Sequence, residues 1–211
     1  ESEKFAGAIR TYSCEALMQD RKALQAGTSH NLGQNFAKAF EVQFQTASGG
    51  LDYVWSTSWG VSTRLVGALI MTHGDDKGMV CPPRLAQWQV VIVPIWRSEE
   101  EKGATFAAAE SMVAELRAAG IRATADLRDG LKPGAKYFEW EARGTPMRLE
   151  VGPRDIAAGT VMAARRTGGK ESMPIEGLAE RVKRELDAIQ AGLLTTALER
   201  REANSLRGPK S

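Results

Sequence analysis

The sequence predicts a chain in two regimes, α+β and then α/β: an antiparallel sheet carrying one helix, followed by a mixed sheet with helices and a closing C-terminal helix. Three observations predict this. Before residue 80, short segments rich in β-formers alternate apolar and polar side chains and are separated by turn residues, as in sheets with a solvated face. After Pro82-Pro83 comes Val90-Val91-Ile92-Val93, a continuous apolar run suited to a strand covered on both faces. Strand-like and helix-like segments then alternate, which argues a compact α/β domain with a mixed sheet.

The elements follow in order. Residues 9–18 carry β-formers, Gln19-Asp20-Arg21-Lys22 reads as a turn, and residues 23–27 as the return strand. Phe36, Ala37 and Phe40 have helical spacing, giving a short helix over 33–40. Residues 41–45 alternate as a strand, Ser48-Gly49-Gly50 turns the chain, and 53–59 form another strand. Residues 62–72 form an apolar helix packed on this sheet, ended by His73-Gly74-Asp75-Asp76-Lys77-Gly78. In the second part a strand at 89–95 precedes a helix at 98–119, stopped by Gly120. A strand at 121–127, a short helix from Lys132-Pro133-Gly134 to Trp140, and strands at 147–151 and 160–165 come next. Thr167-Gly168-Gly169-Lys170 reads as a hairpin turn. From 175 to about 203, Leu178, Val182, Leu186, Ile189 and Leu193 mark one stripe of a helix. Residues 205–211 read as a loop. The expected divisions are 1–86, 87–173 and 174–211.

Composition narrows the function classes. A length of 211 residues allows one or two domains, and 43% hydrophobic content supports a core of normal size. Lys and Arg number 28 against 26 Asp and Glu, so neither a polybasic tail nor an acidic solvating chain describes the whole. No apolar run reaches the roughly 20 residues of a membrane helix. The first residues, Glu1-Ser2-Glu3-Lys4, are unlike a signal peptide. Cys14 and Cys81 make neither a disulfide framework nor a zinc site, so a cytoplasmic location is expected. The chain opens on Glu1 in sequence that already reads as folded, and is expected to be part of a longer one.

Two segments carry chemistry. Gln25-Ala26-Gly27-Thr28-Ser29-His30, continued by Asn31-Leu32-Gly33-Gln34-Asn35-Phe36, concentrates hydrogen-bonding groups and small residues in a way that suits a polar small molecule. The bland alternative is a polar loop. Ser58-Trp59-Gly60-Val61-Ser62-Thr63-Arg64 leads straight into an apolar helix. Free N–H groups and the dipole at such a helix start favour anions. Arg64 adds a guanidinium able to clamp phosphate or stack on a base. A Ser/Thr-capped helix with a solvated Arg is the bland alternative here.

Taken together, the segments resemble the class II aminoacyl-tRNA synthetases, and within them the archaeal-like prolyl-tRNA synthetase family. The resemblance rests on Gln25 to His30, Leu32 to Phe36, Ser58-Trp59-Gly60 with Thr63-Arg64 and Gly67 (the third class II motif), His73-Gly74-Asp75, and Pro82-Pro83. It continues through Lys132 to Tyr137 and Leu149 to Asp155, which resemble the family's anticodon-binding domain. Asn31 and Cys81 depart from the family pattern beside these motifs.

The resemblance implies activation of L-proline with ATP and transfer to tRNA(Pro), with Mg²⁺ bridging the phosphates. By the match, Gln25, Thr28, Ser62 and Arg64 contact ATP, Arg64 carries the catalytic charge, and His30, Trp59 and Gly60 line the proline pocket. The first two class II motifs lie outside this sequence, so the fragment is expected to be inactive alone. The family pairs as homodimers through the first of those motifs. Zinc belongs to a C-terminal domain beyond this sequence. For His73, Asp75 and Asp76 the favoured reading is a solvated helix end over a metal site, and no metal ligand is assigned.

The anticodon helix is legible without the family. Ala109, Met112, Val113 and Leu116 recur at i, i+3, i+4, i+7 and should face the sheet. Phe106, Glu110 and Arg117 form a stripe beside that face. An aromatic ring, a carboxylate and a guanidinium in line are groups that stack on and hydrogen-bond splayed-out bases. A solvated helix face is the alternative. The resemblance favours anticodon reading and adds Lys136, in the Pro-Gly-Ala-Lys turn. Competing readings are a threonyl-, glycyl- or histidyl-tRNA synthetase, and a non-catalytic tRNA-binding module.

Overall fold

The computed structural model describes residues 4–205 and divides into two compact units, Glu1–Thr72 and His73–Ser211. The expected charged start and terminal loop fall largely outside the described residues.

In the first unit, strands β1 (Arg10–Leu17), β2 (Ala23–Gly33) and β5 (Ser56–Gly60) form an antiparallel sheet in the order β1-β2-β5. Helix α1 (Asn35–Ala39) and the hairpin β3 (Gln43–Gln45) and β4 (Leu51–Tyr53) lie between β2 and β5 in sequence. Three expectations need correction. The return strand does not stop at 27, because Thr28–Asn31 pairs on both sides, with β1 and with β5, and Gly33 pairs with β5. The single strand expected over 53–59 is two, since Leu51–Tyr53 pairs with β3 and Ser56–Gly60 with β2. Helix α2 (Arg64–His73) buries none of its residues, contrary to the packed helix expected.

In the second unit a five-stranded mixed sheet has the order β10-β9-β8-β6-β7. Strands β6 (Val90–Pro94), β7 (Ala123–Ala125) and β8 (Met147–Val151) are parallel, and β9 (Thr160–Arg165) and β10 (Lys170–Pro174) add antiparallel. All of β6 is buried, as its apolar run predicts. Helix α3 (Glu99–Ala118) starts with the Ser98 hydroxyl accepting from the Glu101 N–H. Its residues Ala109, Met112, Val113 and Leu116 are buried on the sheet. Helix α6 (Leu178–Ala203) closes the same core with Leu178, Val182, Leu186 and Ile189. The short α5 (Pro153–Ala158), absent from the sequence reading, has Pro153 at its start, Asp155 capping the Gly152 N–H at 2.9 Å, and left-handed Gly159 at its end.

Helix α4 (Pro133–Ala142) covers the other sheet face, where the Arg148 guanidinium lies 4.0 Å from the Tyr137 ring centroid. Glu150, nearly buried beside it, accepts from Arg148 at 3.1 Å and Lys170 at 2.8 Å. Burial, with Glu150 alongside, raises the Tyr137 phenol above its ordinary value.

The segment before β6 is fastened to this unit. Arg166, nearly buried, donates to Asp75 at 2.8 and 2.5 Å and to the carbonyls of Met79, Glu141 and Gly78. Asp75 is exposed at this helix end and is also paired: the Arg166 hydrogen bonds hold its carboxyl down at about 2. Arg122 similarly donates to the carbonyls of Pro83, Arg84 and Ala86.

Candidate substrate and anticodon sites

On the first unit's sheet, a bulge determines which side chains meet. Cys14 pairs with Gly27 and Glu15 with Gln25, leaving Ala26 as the extra residue. Alternation alone would put Gln25 on the face of Gly27 and Ser29. The bulge turns it onto the face of Thr28 and His30. Arg64 reaches this face from the start of α2, donating to Gln25 Oε1 at 3.1 Å and to its carbonyl at 3.4 Å. His30 Nδ1 lies 3.0 Å from the Thr11 hydroxyl, and the Phe5 ring centroid is 4.7 Å from that of His30.

Gly60 sits opposite Thr28, and Ser58 opposite His30, so both belong to the same face. A Cβ at Gly60 would stand 3.6 Å from the Thr28 hydroxyl, taking space on that face. Trp59 pairs with Ser29 and therefore projects to the opposite face. It is 82% exposed and lines an open hollow of about 480 Å³ with Tyr12, Cys14, Gly27, Thr28, Gly60 and Val61. The structure thus unites Gln25, Thr28, His30, Gly60 and Arg64 on one face, and Trp59 projects to the other while sharing the hollow with Thr28 and Gly60. The Ser62 hydroxyl accepts from the Arg64 N–H at 3.3 Å and so caps α2. Among the described residues no group of three or more His, Cys, Asp or Glu could hold a metal ion.

In the second unit, polar groups gather at the carboxyl ends of β6 and β7, where open α/β sheets form ligand crevices. Asp126, directly after β7, is nearly buried. Its carboxylate accepts from Arg128 Nε at 2.9 Å and Nη2 at 2.7 Å, and from the Trp140 indole at 2.8 Å. Burial opposes its ionisation, but these hydrogen bonds outweigh burial and hold the carboxyl down at about 2. Arg128 also pairs with Glu139 at 2.7 Å.

Lys136 is 1% exposed. Its ammonium donates to the Asp126 carbonyl at 3.0 Å and lies 5.0 Å from the Trp96 ring centroid. Desolvation lowers its pKa from the ordinary lysine value, against the attraction of Asp126. The residue read as an outward RNA contact is therefore folded inward. Phe106 meets Trp96 edge-on, with centroids 5.0 Å apart, and Lys102 lies over Phe106 while pairing with Asp129 at 2.6 Å.

Glu110 is exposed, and at about 1.5 Å rise per residue it stands about 6 Å along α3 from Phe106. Arg117 lies about 10 Å further still, toward the amino end of β7. There its Nε donates to the Ala123 carbonyl at 2.9 Å and its guanidinium lies 5.7 Å from the Trp88 ring centroid. The structure brings Phe106 and Lys136 together through Trp96, and holds Arg117 at the far end of the stripe. The sequence reading missed Trp96, Asp126, Arg128 and Trp140. A detectable signal was position: Trp96 and Asp126 follow directly on strands that run toward the crevice.

Comparison with known proteins agrees with both halves. Residues 89–185 match the anticodon binding domain family. Proline--tRNA ligase of Chlorobium phaeovibrioides is 58% identical over 207 residues, covering 97% of this chain and 43% of that protein. Proline--tRNA ligase of Chloroflexus aurantiacus is 53% identical over 209 residues, with the same coverage. That of Christiangramia forsetii is 56% identical over 198 residues, 93% of this chain and 40% of its own length. The chain spans less than half the length of these curated relatives; over nearly all of its own length it is similar to proline--tRNA ligases, and residues 89–185 of its second unit match the anticodon binding domain family.

Proposed function

We propose that the protein to which this chain belongs attaches L-proline to tRNA(Pro) through prolyl-adenylate, using ATP. The observation that carries the reading is the convergence of Arg64 with Gln25, Thr28 and His30 on one sheet face. The proline carboxylate attacks the α-phosphate, so catalysis is positioning and charge neutralisation without a covalent enzyme intermediate. Arg64 holds the nucleotide as charge develops, and Gln25 fixes the guanidinium that does so. Thr28 and the segment at Ser62 border the nucleotide, while His30 and Gly60 border proline. Trp59 projects to the other face and supplies an apolar wall to the hollow it shares with Thr28 and Gly60.

Residues 1–86 are read as the C-terminal part of the adenylating core, and 87–173 as the anticodon-binding domain. Residues 174–211, which contain α6, are read as the third division. Mg²⁺ accompanies ATP in such chemistry, but the described residues supply no acidic cluster for it, and no step is assigned to it here. The protein is read as a cytoplasmic homodimer; no helix among the described residues is long and apolar enough to cross a membrane. The resemblance puts two class II motifs outside residues 1–211, so these residues alone should be inactive and the complete protein is the form to assay. Arg64→Ala in the complete protein should lower proline-dependent ATP–pyrophosphate exchange by about 10²–10³-fold, the usual loss for one electrostatic stabiliser. Unchanged exchange would overturn the assignment of this face as the adenylation site.

A further inference from the structure

We propose that Thr11 is a positioning residue for proline: its hydroxyl donates to His30 Nδ1, so that the imidazole presents an Nε2–H donor to the proline carboxylate. The proposal rests on the adenylation function above, in which His30 borders proline, and adds the residue that orients His30 and the atom His30 meets.

Thr11 stands directly opposite His30 in the β1–β2 ladder, so the two side chains share a face. Its hydroxyl oxygen lies 3.0 Å from Nδ1 and already accepts the Phe5 N–H at 3.1 Å. A hydroxyl has one proton to give, and here the atom waiting for it is Nδ1. A neutral imidazole that accepts at Nδ1 carries its own proton at Nε2. Phe5 also steadies the ring, with its centroid 4.7 Å from that of His30 and the planes 33° apart. The segment bearing Phe5 is tied down in turn. Asn35 Nδ2 donates to the Gly7 carbonyl at 2.9 Å, the Ala8 N–H to that of Phe5 at 3.0 Å, and the Ile9 N–H to that of Asn31 at 2.7 Å. One edge of the imidazole is thus bonded and one face is covered, while Nε2 has no hydrogen-bond partner among the described residues.

The chemistry of proline selects what Nε2–H can serve. The ammonium of proline only donates and its carboxylate only accepts, so a donor beside it meets the carboxylate. The opposite tautomer would meet the ammonium. The bond goes to the carboxylate oxygen that does not attack phosphorus and aims the other oxygen for the in-line step.

The test is proline-dependent ATP–pyrophosphate exchange by the complete protein, read as Michaelis constants, which do not depend on how much of a variant is folded. Thr11→Val keeps the β-branched shape and removes the hydroxyl. It should raise the constant for proline about 3–10-fold, the worth of one hydrogen bond, and leave that for ATP as it was. Thr11→Ser, which keeps the hydroxyl, should restore the wild-type value. In a His30→Ala background, Thr11→Val should add nothing. Competitive inhibition by pyrrolidine, which has the ammonium and lacks the carboxylate, should be the same in wild type and Thr11→Val. An unchanged proline constant in Thr11→Val, losses that add to those of His30→Ala, or an equal rise for ATP would overturn the inference alone. So would pyrrolidine weakened as much as proline, which would put His30 on the ammonium. If His30→Ala itself leaves the proline constant unchanged, the assignment of this face as the proline site fails, and the role of Thr11 with it.

Discussion

Replacing Asp126 by Asn tests whether the cluster beside β7 is held by charge. The carboxylate is 3% exposed and accepts from Arg128 and the Trp140 indole, with the Lys136 ammonium 3.8 Å from one oxygen. Holding a carboxyl at about 2 in place of its ordinary 3.8 stabilises the native state by roughly 2 kcal/mol at neutral pH. The native pKa is the lower one, so this stabilisation is complete above the unfolded value near 4 and fades as pH falls toward about 2. Asn keeps the shape but removes the charge and turns an N–H₂ toward a cationic neighbourhood. Urea unfolding followed by circular dichroism should find Asp126→Asn less stable by about 2 kcal/mol at about pH 7. The gap should narrow steadily as pH falls below about 4. A gap that does not change between about pH 7 and about pH 2.5, or an Asn variant as stable as wild type at neutral pH, would refute the electrostatic account.

Other outcomes are expected from the same geometry. Glu110→Ala should raise the Michaelis constant for tRNA(Pro) about 5–150-fold and relax discrimination against a changed anticodon base. Proline activation without tRNA should stay as it was, as separate exchange and aminoacylation assays would show. Arg166→Leu strands the carbonyls of Met79, Glu141 and Gly78 and the Asp75 carboxylate, and should cost about 3–5 kcal/mol in chemical unfolding; a loss under about 1 kcal/mol would count against the clasp. Gly144→Ala forces a left-handed φ of 73° and a Cβ 2.6 Å from the Met79 carbonyl oxygen, so it should destabilise more than Gly159→Ala, where φ is 65° and space is open. Equal unfolding midpoints for those two variants would show that overlap adds nothing to backbone strain, which alone costs about 1–2 kcal/mol.

Local rules carried much of the second unit. The apolar run at Val90–Val93 and the 3.6-residue repeat of Ala109, Met112, Val113 and Leu116 each reflect burial that nearest neighbours in sequence already encode. In the first unit the break between β4 and β5 was hidden, because Val54 and Trp55 are β-formers and only pairing with different strands separates the two. The opposite facing of Trp59 and His30 depends on cross-strand register, and the alignment of Gln25 with Thr28 on the bulge at Ala26. Neither is written in a single segment. The inward turn of Lys136 was equally invisible: a lysine in a Pro-Gly-Ala-Lys start looks solvated until Trp96 and Asp126 arrive from strands 40 and 10 residues away in sequence. The long-range partner of Asp75, Arg166, lies 91 residues downstream.

The backbone also sets where this second unit can be cut free. The anticodon binding domain match begins at residue 89, yet the Met79 N–H donates to Ala142 and the Cys81 N–H to Gly144, both ahead of that point. Gly78 and Gly144 allow these approaches, since a Cβ on either would stand 2.6 Å from a carbonyl oxygen. A piece excised at residue 89 would leave Arg166 without Asp75 and Arg122 without the Pro83 and Ala86 carbonyls, exposing two guanidinium sockets to water. The smallest autonomous piece therefore starts upstream of Asp75, and sequence similarity alone would draw the scissors too far in.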